Sequence, residues 1–270
     1  MLIQHSFNTP RAGLPKKWFL LPLFCLFWFN MNAQCKIDKL AFTVGEQLKY
    51  KIYYNWGPIW VYAGDVDFKA DTTTRHAKAA YHFVSTGTSR PSYDWFFKVR
   101  DRYESWAERS TLRPIEFYRN TNEGNYHVSN WYLFDAKANQ ITLATTTTKR
   151  PYKKETKPYN PCLFDVLTAS YYTRCLNFED MQPGTKIPVY TLLDNVGCDL
   201  YIRYLGRETI KHHNTKTYAC LKFKAKVAEG SVFKGGEDIT VWVSDDAAHI
   251  PIKIEAKILV GSVKAYINLD

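Results

Sequence analysis

Polar and apolar residues alternate through most of this chain with a period of two. Residues 42–54, FTVGEQLKYKIYY, set Leu48, Tyr50, Ile52 and Tyr54 against Gln47, Lys49 and Lys51. Successive side chains of a strand point to opposite faces, so the pattern predicts a half-buried strand. Gly57-Pro58 breaks it. Residues 59–69 and 79–89 form the next predicted pair, joined by the polar stretch Asp71 to Lys78. In 97–107, Val99, Asp101, Tyr103 and Ser105 alternate with Arg100, Arg102, Glu104 and Trp106. Residues 114–121, 126–134 and 140–148 continue the meander, with breaks at Asn122-Glu123-Gly124 and Asp135-Ala136-Lys137. Pro151 to Pro161 reads as a polar linker. The period then changes. Residues 162–177, CLFDVLTASYYTRCLN, carry apolar side chains at 163, 164, 167, 171 and 175, which predicts one amphipathic helix. Strands resume at 187–193, 198–206, 216–228, 237–244, 250–260 and 262–269, with turns at His212 to Asn214, Gly235-Gly236, Asp245-Asp246 and Gly261.

About a dozen strands with short links make an antiparallel sheet. A flat sheet of that size would leave long raw edges, and curling is the usual remedy. The expected fold is therefore mainly β: a large curved antiparallel sheet or half-barrel, with one principal helix packed against it. Leu163, Phe164, Leu167, Tyr171 and Cys175 are expected to face the sheet. Periodicity leaves open whether the helix is a core plug or a lid.

Residues 14–35, LPKKWFLLPLFCLFWFNMNAQC, interrupt the β pattern. Lys16-Lys17 precede an apolar run from Trp18 to Phe29, and Asn30 to Ala33 gives a polar exit ending in a small residue. This is the pattern of a secretory signal, too short to span a bilayer comfortably. The expected organisation is a signal peptide over 1–33, cleaved after Ala33, and a single β-rich domain over 34–270 in the periplasm or cell envelope. Lipidation of Cys35 would need a small residue before it, where Gln34 stands, so Cys35 is expected to be unacylated.

Composition sharpens this reading in two ways. Aromatic residues make up 16% of the chain, which suits sheet packing or an aromatic-lined cavity. The formal net charge is +10, but the basic residues are scattered along strands, as at Lys222, Lys224 and Lys226. Nucleic-acid binding is therefore not expected, whereas peripheral contact with a membrane is compatible with the charge. Beyond Cys25 in the leader lie Cys35, Cys162, Cys175, Cys198 and Cys220, an odd number that leaves at least one thiol unpaired within the chain. Cys162 and Cys175 lie too far apart along a helix to bond, Cys198 and Cys220 are out of register, and buried inert thiols are the expectation.

Candidate chemistry is sparse. No C-x-x-C, H-E-x-x-H or G-x-S-x-G occurs. His212-His213 read as turn residues. Asp245, Asp246 and His249 could form an acid/base or metal cluster, but four-residue links between strands use Asp to bond their own backbone. Arg174 on the helix is a candidate partner for Asp101. No catalytic residue, metal site or cofactor is assigned. Tyr50, Tyr54, Trp106, Tyr171 and Arg174 are the candidate ligand-binding residues.

Several ordered stretches look familiar. They are Phe42-Thr43-Val44-Gly45-Glu46 with Leu48, Tyr50 and Ala63-Gly64; Asp94 to Ser105 with Pro114 and Glu123-Gly124; the helix start Phe164-Asp165-Val166-Leu167 with Tyr171-Tyr172 and Arg174; and Trp242 to Asp246 with Ile250-Pro251 and Gly261-Ser262. Together they resemble the domain-of-unknown-function 3108 family of exported bacterial proteins, and the leader's Asn-Ala-Gln ending resembles Bacteroidetes-type secreted proteins. The resemblance implies an exported β-rich domain and hands over no catalytic residues. Three functional readings follow: a non-enzymatic domain holding an apolar or amphipathic ligand, a lipid or a glycan, between sheet and helix; a structural or interaction module of the envelope; or a glycan or cell-wall hydrolase. The oligomeric state is not legible.

Overall fold

A computed structural model describes residues 35, 37, 39–56, 59–213, 215–228, 235–258 and 261–269. The expected signal peptide and its cleavage site lie outside the described residues. Eight strands run up and down in chain order: β1 (Gln47–Trp56), β2 (Ile59–Arg75), β3 (Lys78–Ser89), β4 (Val99–Glu108), β5 (Pro114–Glu123), β6 (Tyr126–Asp135), β7 (Gln140–Thr147) and β8 (Arg150–Pro158). A two-residue strand β9 (Phe164–Asp165) leads into helix α1 (Val166–Arg174). The second meander is β10 (Lys186–Leu193), β11 (Val196–Lys211), β12 (Thr217–Val227), β13 (Gly236–Ser244), β14 (Pro251–Lys257) and β15 (Ser262–Asn268). β15 pairs with β1, so both meanders join in one fifteen-stranded sheet that ends at β8 on one side and β9 on the other.

The sheet is curved but not closed by a backbone ladder. Its far ends meet through the β10–β11 turn instead. Asp194 accepts from Arg119 of β5 at 2.9 Å, and the Asn195 side chain accepts from Thr145 of β7 at 2.8 Å. The Asn195 backbone N–H donates to the Tyr132 hydroxyl of β6 at 3.3 Å, and its carbonyl accepts from Lys157 of β8. The expected curved sheet with one helix is what forms.

Three local expectations are corrected. The supposed linker at 151–161 is largely strand β8, exposed along most of its length. It has no apolar face for periodicity to reveal, and its charges suit an edge strand. The polar stretch Asp71 to Lys78 is mostly strand as well; the link between β2 and β3 is His76-Ala77, with φ of 49° and 60°, the left-handed pair that a two-residue hairpin requires. The helix starts four residues later than its apolar pattern. Phe164 and Asp165 pair in parallel with Thr191 and Leu192 of β10, and Asp165 then caps α1.

That cap also fastens the helix to the sheet. One oxygen of the fully buried Asp165 carboxyl accepts from the backbone N–H groups of Leu167 and Thr168, at 3.0 and 2.9 Å. The other accepts from the hydroxyls of Ser105 on β4 and Thr168, at 2.8 and 2.7 Å. Leu163, Phe164, Leu167, Tyr171 and Cys175 are all buried. The Tyr171 ring stacks on Phe83 at 3.9 Å, and Phe42 meets both edge-on. A disulfide joins Cys35 to Cys162 just before the helix, with 5.6 Å between Cα atoms. The expectation of inert thiols fails for this pair, while Cys175, Cys198 and Cys220 are free, so Cys198 and Cys220 are not bonded to each other. α1 is thus a plug, fixed at its start and packed along one face.

Candidate functional site

The apolar stripe of α1, Leu167 and Tyr171, faces the first meander. Its other face carries Val166, Ala169, Ser170 and Thr173, mostly short side chains that leave space before the second meander. There a cavity of about 600 Å3 opens between the helix, β1 and strands β10–β14. Val189, Leu200, Ile202, Phe223, Val241 and Ile254 supply much of its wall, which is chiefly apolar.

Its floor is built from Tyr50, Tyr171, Arg174, His249 and Pro251. The Arg174 guanidinium donates to both oxygens of Glu46, at 2.6 and 2.9 Å, to the Ala41 carbonyl at 2.9 Å and to the Ala248 carbonyl at 3.0 Å. Burial opposes its charge, but the Glu46 hydrogen bonds and charge outweigh that and hold the guanidinium protonated. The expected pairing of Arg174 with Asp101 is therefore corrected: Glu46, just ahead of β1, is the partner. Asp101 instead accepts from the Asn122 backbone N–H at 3.1 Å, and burial, with Glu123 nearby, pushes its carboxyl up to about 6. Tyr50 donates to the Pro251 carbonyl at 3.0 Å. His249 bonds the Arg174 carbonyl through Nδ1 at 2.6 Å.

Tyr171 differs from its neighbours. Its hydroxyl is buried with no hydrogen-bond partner among the described residues. Burial, then the Glu46 charge, raise its pKa, so the group is neutral and able to donate. A buried unpaired hydroxyl costs about 1–3 kcal/mol, and this one is enclosed by protein rather than open to the cavity. With Arg174 neutralised by Glu46 and Tyr50 already bonded, the floor carries no net charge.

Tyr50, Tyr171 and Arg174 are thus brought together around the cavity. Tyr54 is not; it lies near Gly261, at the turn between β14 and β15. Trp106 is also elsewhere, stacked on His82 at 4.8 Å with Arg75 over its ring at 4.2 Å. It alternates with the inward Ser105 and Ala107, so it faces out. Glu46 and His249 were not assigned to a ligand site from sequence; only the pairing of distant segments puts them there. Asp245, Asp246 and His249 line one small hollow beside the helix C-terminus, but each is engaged by a different protein partner. Asp245 pairs with Arg207 at 2.8 Å, and Asp246 accepts from Ser244 and the Ala248 backbone at 2.8 and 2.9 Å. No group of three metal-ligating side chains occurs among the described residues. His212 and His213 sit in an aromatic cluster with Tyr266.

The comparisons with known proteins agree with this architecture. No curated protein matches the chain. A solved structure from Brucella abortus, described as a beta-barrel-like protein of domain of unknown function DUF1849, is similar at a TM-score of 0.52 and 6% identity, covering 83% of this chain and 96% of its own. At that identity the likeness shows the fold alone. Residues 49–268, nearly all of the sheet, match the model described as Protein of unknown function (DUF3108), and the chain belongs to that family.

Proposed function

We propose that this is an exported, non-enzymatic domain of the periplasm or cell envelope that holds an apolar or amphipathic ligand between α1 and the second meander. The observation that carries the reading is the apolar cavity of about 600 Å3 between α1 and the second meander. The volume falls within the roughly 300–1,000 Å3 of small-molecule sites. A packed structural module would have filled this space, and the three residues considered for hydrolysis are each engaged by a different protein partner. The chiefly apolar wall favours a chain-like ligand such as a fatty acyl chain. Export is supported by the residue pattern at 14–35 and by the Cys35–Cys162 disulfide, a bond that persists in oxidising compartments. A bonded Cys35 also has no thiol left for acylation.

Native mass spectrometry of the protein purified from an envelope fraction tests this. A co-purifying lipid-like mass is expected. Tyr171→Phe should leave both the fold and retention intact, since the enclosed hydroxyl has no protein partner to lose and does not open into the cavity. Ala169→Trp, which fills the cavity from the helix side, should abolish retention. Recovery of empty protein, together with no binding of the fluorescent fatty acid cis-parinaric acid, would overturn the reading.

A further inference from the structure

The meanders place their turns alternately at the two ends of the sheet. Starting from the β1–β2 turn, one end collects the β3–β4, β5–β6, β7–β8, β10–β11, β12–β13 and β14–β15 links. The exposed aromatics of the described residues, Trp60, Trp95, Phe96, Phe97, Tyr126 and Tyr152, all lie at this end. The β3–β4 link is the extreme case. Trp95, Phe96 and Phe97 are consecutive and expose 81%, 60% and 49% of their surface.

These rings are held out rather than loosely hung. Asp94 accepts from Ser89 and Arg100, both at 2.5 Å. The backbone N–H groups of Phe96 and Phe97 donate to the Tyr93 carbonyl, and Gly124 donates to the Lys98 carbonyl at 2.8 Å. The Phe97 ring lies over Gly124, where an added Cβ would come within 3.0 Å of it. A built loop presenting three aromatics to solvent marks an interaction site.

The cavity reaches this same end. Leu193, Asp194, Lys226 and Val227 line it, and they border the β10–β11 and β12–β13 links. Exposed Lys98, Lys149 and Arg150 stand on the aromatic links; of the acids at this end, Asp94, Asp194 and Glu237 are paired with Arg100, Arg119 and Arg203, and Glu123 and Asp238 also lie there. Aromatic rings beside exposed basic residues match the interface of an anionic bilayer. The rings come from several separate links around one end of a curved sheet, which suits a plane better than a peptide strand.

We propose that this end docks on an anionic membrane surface, with Trp95, Phe96 and Phe97 entering the interfacial region and this end of the cavity held against the lipid. The docking stands on the exposed end itself; transfer of a ligand between membrane and cavity rests on the carrier reading above.

Co-sedimentation with vesicles of phosphatidylethanolamine and phosphatidylglycerol tests the docking, using the processed protein recovered from secreting cells. Binding is expected, and it should weaken at least tenfold in the variant Trp95→Ser, Phe96→Ser, Phe97→Ser. Lys98→Glu with Lys149→Glu should lower binding to these vesicles and abolish their advantage over pure phosphatidylcholine vesicles. Both variants should keep wild-type melting temperature and cis-parinaric acid binding. Wild-type protein that ignores the vesicles, or a triple-serine variant that binds as well as wild type, overturns the proposal. So does a concentration-dependent dimer that the triple-serine variant dissolves, because the surface would then serve a second copy of the chain. If vesicle binding holds while cis-parinaric acid fails to bind, the carrier reading falls and the docking survives.

Discussion

Asp165 shows how much one side chain can organise. It closes the start of α1 and ties it to Ser105, all within a fully buried site. Asp165→Ala removes an N-cap, worth about 0.5–2 kcal/mol, and leaves buried hydroxyls short of a partner, at about 1–3 kcal/mol. A loss of roughly 2–4 kcal/mol in urea unfolding is expected from these two effects. Asp101 behaves in the opposite sense. Its folded pKa, about 6, lies above its ordinary value, so the folded state binds the proton more tightly than the unfolded state. Stability contributed by this group therefore falls as pH rises from about 4 to about 6, and the penalty persists above that. Asp101→Asn should flatten this part of the stability profile and make the protein more stable than wild type at pH 7. Denaturation midpoints measured from pH 4 to 8 check both the sign and the window.

At the scale of elements, α1 is the component whose role periodicity left undecided. The apolar stripe was legible because a helix returns to the same face every three or four residues. Whether that face met a core or covered a ligand depended on what lay on the opposite side. One face is sealed into the first meander, which makes α1 a plug, and the other walls the cavity. The Cys35–Cys162 bond was illegible because its partners stand 127 residues apart, and nothing local at either cysteine announces the other. Closing so long a loop restricts the unfolded chain, and losing such a bond typically costs about 2–5 kcal/mol. Cys35→Ser should therefore lower the unfolding midpoint by that order. Hydrogen exchange should show α1 amides protected like those of the strands in the wild type, with the loss of protection in the variant beginning at the helix N-terminus.

For the whole molecule, the decisive feature is that the sheet curls until the Asp194-Asn195 turn reaches β5 to β8 without forming a ladder. The curl encloses space, and one helix of nine residues cannot fill all of it. Occupancy should then stabilise the fold by mass action, because the unfolded chain has no cavity to bind with. At a ligand concentration of 100 times Kd the gain is about 2.7 kcal/mol. Thermal unfolding with increasing cis-parinaric acid should show a rising midpoint in wild type and none in Ala169→Trp.

What the sequence determined by itself was the succession of elements. Alternation along FTVGEQLKYKIYY and its successors identifies strands because the pleat imposes a period of two on any sheet with one wet face. Gly124, Gly261 and the Asp245-Asp246 pair mark turns through local backbone preference. Those signals act over a few residues, and so does the pattern of α1. Strand β8 escaped them because both its faces are wet. The tertiary structure alone decided which distant residues meet: Glu46 with Arg174, Cys35 with Cys162, and Tyr50 with Tyr171 across one cavity, while Tyr54 and Trp106 went elsewhere. Tyr54 pairs with β15 in the same unbroken register as Tyr50 but stands four residues further along β1, beside Gly261, and Trp106 takes the outer face because Ser105 and Ala107 take the inner one. Such meetings depend on how far the sheet curls, a property summed over fifteen strands and encoded at no one of them.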